Sequence, residues 1–475
     1  VQFLDRRAEL AFLERAHRAR QAQLVVLWGR RRVGKTALLE QFARRHGVLY
    51  HLGTRSTAAL ELERFSRRVA EHFDDPVVAA QPFASWDVAL RFLARLPRRV
   101  SLILDEFPYV VDADPSFPTV LQAAWDEHLA PRGAHLYLCG SSVAMVERIA
   151  LAREGPLYGR RTGQWRVEPL RPWDIAPAFA RPFPDLVRIY ATVGGIPHYL
   201  RLLDPSQPLA ANIRRHILER GSALYEEVPF LLREELREPR VYFAILAAVA
   251  MGSHRFGEIS SKTGLDRANI TRYLAELEDL GLLRREVPVT ERDPLKSRRG
   301  LYRIADPFTR FWFRFVYPNQ DRLELGEARQ VLRQKVLPEL ESFVAHTAEP
   351  VARDLLCETP LRKLVPFRPA FRGSYWGPEA ELDVVLLDAE RKRAFVAEVR
   401  WSRAPMAMRD LDELRARVAR VPALADLRVC HGLVSAAGFR AGERRARADE
   451  RLLDLRAVDL GLAGAERSKT DPVAR

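Results

Sequence analysis

The densest chemistry in the chain lies between Leu24 and Thr36, LVVLWGRRRVGKT. Four apolar residues and Trp28 run into Gly29, and after four more residues come Gly34, Lys35 and Thr36. This G-x-x-x-x-G-K-[ST] spacing stands between an apolar run with strand character and a helical stretch from Ala37 to Arg45. Glycines there let the backbone curl until successive N–H groups point inward at phosphate oxygens, and the following helix adds its positive N-terminal end. Lys35 would reach the terminal phosphates of a nucleotide, and the Thr36 hydroxyl would ligate Mg²⁺. Gly29, Arg30, Arg31, Arg32, Val33, Gly34, Lys35, Thr36 and Ala37 are therefore the candidate binding residues for the expected cofactors, ATP and Mg²⁺.

A second constellation follows some 70 residues after Lys35, where the apolar run from Val100 ends in Asp105-Glu106. Asp105 would hold Mg²⁺ through its water shell, and Glu106 would orient and polarise the attacking water. Alternation along a strand sends neighbouring side chains to different sides, so one carboxylate can face the metal and the other the γ-phosphate.

Several elements must position these groups. Val48 to Leu52 and His135 to Cys139 read as strands, the latter running into Gly140-Ser141-Ser142, and Gln164 to Val167 reads as a fifth. Ser141 or Ser142 is the candidate sensor of the γ-phosphate. Between the fourth and fifth strands, Arg160 or Arg161 could stabilise charge on the transferred phosphoryl group, within the chain or across a subunit boundary of a homo-oligomer. An amphipathic helix within residues 3–22, preceded by Phe3-Leu4-Asp5-Arg6, stands where related loops place a segment against adenine. The proline-dotted stretch from Pro169 to Pro184 marks a boundary. Beyond it, helices over Leu186–Val193 and His198–Leu203, split by Gly194-Gly195-Ile196-Pro197, suit a lid with a glycine hinge.

Taken together, GRRRVGKT, the LILDEFPY segment at Leu102 to Tyr109, the GSS after the fourth strand, LYGRRTG and GGIPHYL resemble the archaeal-type ATPases of the AAA+/STAND group. The resemblance covers roughly the first half of the chain. It implies Mg-ATP binding with slow or regulated hydrolysis, and it leaves open what that hydrolysis drives.

From Val241 the pattern changes to helix, short helix, Gly turn and third helix, the order of a helix-turn-helix. Asp266 is the expected N-cap of a helix from Arg267 to Leu280. Ile270, Leu274 and Leu277 face the core at helical spacing, leaving Arg267, Asn269, Thr271 and Arg272 toward a groove. Leu282 to Arg285 and Leu301 to Ile304 form a wing around the basic turn Lys296-Ser297-Arg298-Arg299-Gly300. Double-stranded DNA is the expected partner, with Arg298 and Arg299 on phosphates. A winged helix used as an interdomain spacer is the alternative.

The aromatic stretch from Phe308 to Tyr317 reads as core. Further on, Asp383 in Glu381–Leu387 and Glu398 in Arg393–Trp401 lie on the two strands of an expected hairpin, where paired carboxylates can hold a divalent metal. The segment resembles the PD-(D/E)XK nuclease fold and the nuclease-like domain that commonly ends ATPases of this architecture. That resemblance implies Asp383 and Glu398 as ligands of a second metal and Glu349 as a helix-borne acid. It departs at Arg400, where the pattern has Lys. Guanidinium binds phosphate but serves poorly in proton transfer, so both an active nuclease and a fold kept for contact stay open. An amphipathic helix over Met408–Val421, a strand near Leu427–Val434 and an Arg-rich helix from Gly438 to Arg451 should follow, before a disordered tail from Ser468.

A net charge of +14 favours an anionic partner, although only seven of the 76 basic residues are Lys, a skew with causes other than phosphate recognition. Cys139, Cys357 and Cys430 form no C-x-x-C pair, which suits a reducing cytoplasm, and no apolar run approaches a membrane span. The expected class is α/β: a P-loop NTPase parallel sheet over residues 1–170, a helical lid over 171–237, a winged helix over 238–317, a small restriction-endonuclease-like α/β domain over 318–467, and the tail 468–475. The expected function is ATP hydrolysis coupled to DNA binding. An ATP-controlled signalling or assembly switch whose C-terminal modules bind protein is the alternative.

Overall fold

The computed structural model describes residues 6–141, 143–440 and 446–458. It divides into two compact units, Val1–Leu170 with Ile196–His198, and Arg171–Gly195 with Tyr199–Arg475.

The first unit is built on a five-stranded sheet: β1 (Gln23–Trp28), β2 (Leu49–Leu52), β3 (Ser101–Asp105), β4 (His135–Gly140) and β5 (Gly163–Arg166). All pairings are parallel, in the order β2-β3-β4-β1-β5. Leu24 to Leu27 of β1 and every residue of β4 are buried, which is why these segments read as unbroken apolar runs: helices cover both faces of the sheet. At the sheet's border, β5 alternates between half-buried and exposed residues. Because β4 lies between β1 and β3, the carboxyl ends of all three strands meet at one rim. Phe65, Trp86, Phe107 and Phe117 fill the core on one side of this sheet.

In the second unit, the helices Pro239–Ala250, Phe256–Thr263 and Arg267–Asp279 form the helix-turn-helix. Gly264 caps the middle helix with φ +69°, and Asp266 accepts from the N–H groups of Ala268 and Asn269 at the start of the third. Ile270, Leu274 and Leu277 are buried. An antiparallel pair follows, β6 (Leu283–Glu286) and β7 (Leu301–Ile304). Phe308, Phe311, Trp312, Phe313 and Phe315 are core, with the Trp312 indole donating to the Tyr225 carbonyl at 2.7 Å.

The helix Leu337–Glu358 leads to a mixed sheet of β8 (Phe371–Trp376), β9 (Glu381–Leu387), β10 (Arg393–Arg400), β11 (Arg428–Ser435) and β12 (Glu450–Asp454). Their order is β12-β11-β10-β9-β8, antiparallel from β8 to β10 and parallel from β10 to β12. Leu411, Leu414 and Val418 of the helix Met408–Ala419 pack into its core.

Two expectations need correction. The stretch 438–451 is not a helix at its described residues: after a turn at Ala448-Asp449, Glu450 opens β12, which runs parallel to β11. Its Ala- and Arg-rich composition favours helix locally, but buried Glu450, which accepts from the Arg447 N–H and pairs with Arg415, fixes the chain on the sheet border. Arg444 and Arg445 lie outside the described residues, as do Phe3 to Asp5, Ser142 and the tail from Ser468. The second correction concerns the basic turn 296–300, where Arg298 stays exposed but Arg299 donates to the Trp376 carbonyl and pairs with Glu291. Val289 N–H donates to the Ser374 carbonyl on border strand β8, and Arg391 donates to the carbonyls of Thr290 and Glu291. The loop thus covers an otherwise open strand edge. Among the described residues, no helix is long and apolar enough to cross a membrane.

Candidate functional site

At the rim of the first sheet, Gly29 leaves β1 with φ +151°, and a Cβ there would lie 2.3 Å from the Val167 carbonyl oxygen, so only glycine fits. Arg32 at φ +66° and Gly34 at φ +92° complete the curl, and the helix Lys35–His46 begins at once. Its first N–H groups have no intrahelical acceptors, so the loop presents a ring of donors. Buried Lys35 donates Nζ to the carbonyls of Gly29 at 2.8 Å and Arg30 at 3.0 Å, drawing the ammonium across the loop mouth. Arg6 braces the loop from outside by donating to the carbonyls of Val33 and Glu168. Arg31 donates to the Tyr109 hydroxyl at 2.7 Å.

The two carboxylates stand on the neighbouring strand end. Asp105 is fully buried, accepting from the Tyr50 hydroxyl at 2.8 Å and from the Glu106 N–H at 2.9 Å. Burial, and then the Asp105 charge, push the Tyr50 phenol far above its ordinary value, so it remains a donor. Glu106 sits at φ +49°, a left-handed conformation uncommon outside glycine, just before the helix Phe107–Ala113. That turn swings its side chain onto Ser141, whose N–H and hydroxyl donate to Oε2 at 3.1 and 2.8 Å. Ser141 follows directly on β4. Registers Trp28↔Gly140 and Leu104↔Leu138 therefore bring Gly29, Asp105, Glu106 and Ser141 to one place.

The donor set suits a Mg-nucleotide: an ammonium, the half-buried Thr36 hydroxyl at a helix start, inward N–H groups and a buried carboxylate. When bound, that group would supply the labile phosphoryl bond and the divalent charge. Arg160 and Arg161 are held elsewhere. Arg160 pairs with Asp126 through Nε and Nη2 at 2.8 and 2.6 Å, and Arg161 donates to the carbonyls of Ala150 and Leu151. Sequence reading missed Tyr50, Arg6 and Tyr109; the strand LYHL was visible, but only the register Leu52↔Asp105 reveals which of its residues meets the acid.

On the helix-turn-helix, Arg267, Asn269, Thr271 and Arg272 are all exposed. Arg267 lies over the Phe256 ring, Asn269 donates to Asp266, and Arg272 stacks on Tyr273 and pairs with Glu238 at 3.4 Å. Arg298 is exposed, whereas Arg299 donates to the Trp376 carbonyl and pairs with Glu291 at 3.2 Å.

In the C-terminal sheet, Asp383 and Glu398 follow directly on the Val384↔Ala397 pair and face each other. Asp383 accepts from the Val399 N–H at 2.8 Å; burial, then the charge of Glu398, raise its carboxyl to about 7. Glu398 accepts from Arg417 at 2.6 Å, a residue of the helix Met408–Ala419 that sequence reading did not single out. Arg400 turns instead to buried Asp410 at 2.9 Å, and burial raises Glu349. Among the described residues, no group of three or more His, Cys, Asp or Glu is placed to hold a metal ion.

A parallel sheet ordered in this way, with a glycine loop, Lys35, Asp105 and Glu106 at its rim, defines a P-loop ATPase. The model of an ATPase domain predominantly from Archaea matches residues 3–203, the IclR helix-turn-helix domain matches 242–287, and a family of archaeal and bacterial proteins of unknown function matches 312–414. An uncharacterized protein of Methanocaldococcus jannaschii is 30% identical over 400 residues, 84% of this chain and 87% of its own. An uncharacterized ATP-binding protein of the same organism is 52% identical over 42 residues, 9% of this chain and 71% of its own. Among solved structures, a Walker-type ATPase of Pyrococcus abyssi is 20% identical, covers 66% of this chain and 96% of its own, and has a TM-score of 0.48. The Aeropyrum pernix ORC2 protein is 14% identical over 70% and 96% of the two chains, with a TM-score of 0.42. The chain belongs to the archaeal-type ATPase family.

Proposed function

We propose that this protein binds and slowly hydrolyses Mg-ATP at the Gly29–Ala37 loop, and that the nucleotide state changes how its helix-turn-helix and C-terminal sheet engage double-stranded DNA. The observation that carries the reading is the convergence of Lys35, Asp105, Glu106 and Ser141 at one sheet rim. Lys35 and the loop N–H groups hold phosphates, Thr36 and Asp105 hold the metal and its water, and Glu106 polarises the attacking water once it leaves Ser141. Glu106 must release Ser141 to reach a water, which supports regulated turnover. Arg160 or Arg161 reaches the site only if another subunit or a rearrangement brings it there.

Exposed Arg267, Asn269, Thr271, Arg272 and Arg298 form the DNA-facing set, with residues 238–317 acting as one module between the lid 171–237 and the sheet domain 318–467. The test is ATP turnover with and without duplex DNA for wild type, Lys35→Ala and Glu106→Gln. DNA-stimulated turnover that both variants lose supports the reading; a Lys35→Ala protein that hydrolyses ATP as wild type does overturns it.

A second reading, an ATP-controlled assembly switch whose C-terminal modules bind protein, draws on Arg299. Its guanidinium is spent on the Trp376 carbonyl and Glu291, which leaves the wing less cationic than its sequence. Failure to bind duplex at low salt would favour it.

A further inference from the structure

Three arginines from three separate segments line one cavity of the second unit. The cavity, of about 100 Å³, is bounded among others by Arg171, Trp173, Arg284 of β6, Arg310, and Thr347 and Asp354 of the helix Leu337–Glu358. Arg310 stacks on the Phe343 ring at 4.6 Å and donates Nη2 to the Thr347 hydroxyl, while its Nε is buried without an acceptor among the described residues. Burial, and then the charge of Arg284, lower the Arg310 guanidinium to about 10. Arg284 pairs through Nε with Glu286 at 2.6 Å, and Arg171 pairs with Glu358 while lying over Trp173 at 5.4 Å. The one acid on the lining, Asp354, is turned to Arg372 at 3.3 Å. Glu349 offsets part of the Arg310 charge, and half-buried Arg353 feels the charges of Glu286 and Asp354.

Gathering like charges around a half-buried space costs stability unless something compensates them. Forked guanidinium groups beside a hydroxyl match the oxygens of a tetrahedral oxyanion. The cavity, about 100 Å³ and open on one side, has room for one such ion. We propose that this cavity binds a single phosphoryl group, taken as free phosphate or as the terminal phosphate of a nucleic acid whose chain continues outside the opening. The site is separate from the Gly29–Ala37 loop and does not rest on its activity.

The experiment uses the full chain carrying Lys35→Ala, so that the nucleotide loop does not report, with a separate nucleotide titration to verify that silencing. Inorganic phosphate is titrated calorimetrically and by thermal melting against chloride at equal ionic strength. Phosphate should bind and raise Tm beyond chloride, and adding Arg310→Gln should weaken it by about tenfold or more. Arg171→Gln, at the half-exposed rim, should weaken it in the same direction and guards against a folding defect in the first variant. Stabilisation no greater than chloride's, or unchanged phosphate affinity in both added variants, overturns the proposal. A 5′-phosphorylated oligonucleotide binding more tightly than its 5′-hydroxyl twin assigns the phosphoryl group to a nucleic-acid end; equal binding of the two, with phosphate still bound, assigns it to free phosphate.

Discussion

Ser141 donates both its backbone N–H and its hydroxyl to one oxygen of Glu106, at 3.1 and 2.8 Å, so the proposed general base is held by a residue proposed to sense the γ-phosphate. The two roles are then coupled, because phosphate that draws the Ser141 hydroxyl frees the carboxylate. Ser141→Ala removes the hydroxyl that holds Glu106 and should raise basal kcat several-fold while changing ATP affinity by less than about threefold. A matched fall in affinity alone would point to simple binding.

Lys35 spans the loop, donating to the carbonyls of Gly29 and Arg30. On the proposed reading, removing it takes away an ammonium that holds the phosphates. Titration with a fluorescent nucleotide should show Lys35→Ala binding at least about a hundredfold more weakly.

Arg298 and Arg299, adjacent in sequence, should behave differently. Arg298→Ala, like Arg267→Ala, should weaken duplex binding and reduce the salt slope by about one. Arg299→Ala should instead lower the melting temperature, since its partners are Glu291 and the Trp376 carbonyl. Equal losses of DNA affinity in all three, with no change in melting, would contradict the docked loop.

His135, buried at the start of β4, has its pKa lowered to about 4 by burial and then by Arg99 and His17. Its folded value lies below the unfolded one of about 6.5, so folding favours the neutral ring. That contribution is complete above pH 6.5 and is lost as pH falls toward 4. The wild-type melting temperature should drop by several degrees more than that of His135→Leu across this interval. Parallel acid limbs would place the titrating group elsewhere.

Arg400 is paired to Asp410 and Arg417 to Glu398, so both guanidinium groups nearest the Asp383/Glu398 pair are engaged within the protein. Plasmid incubated with the protein in Mn²⁺ should stay supercoiled. Nicking that disappears in Asp383→Ala and Glu398→Ala would establish a nuclease.

The phosphate loop, β3 and its Asp105-Glu106, the helix-turn-helix and the Asp383/Glu398 hairpin were all legible in the sequence. Each is set by local rules: glycine at a backbone conformation that other residues rarely take, apolar runs of strand length, an N-cap before a helical period. Long-range pairing was not legible. Nothing in LYHL says that Tyr50 rather than His51 meets Asp105, and nothing in KSRRG says that Arg299 is consumed by β8 while Arg298 is left exposed. At the described end of 438–451, local helix preference lost to a sheet border. The sequence by itself determined which chemistry is present, because residue type and spacing along one element suffice for that. Tertiary structure alone decided which charges remain available, because a guanidinium or carboxylate is spent or spared by partners tens to hundreds of residues away.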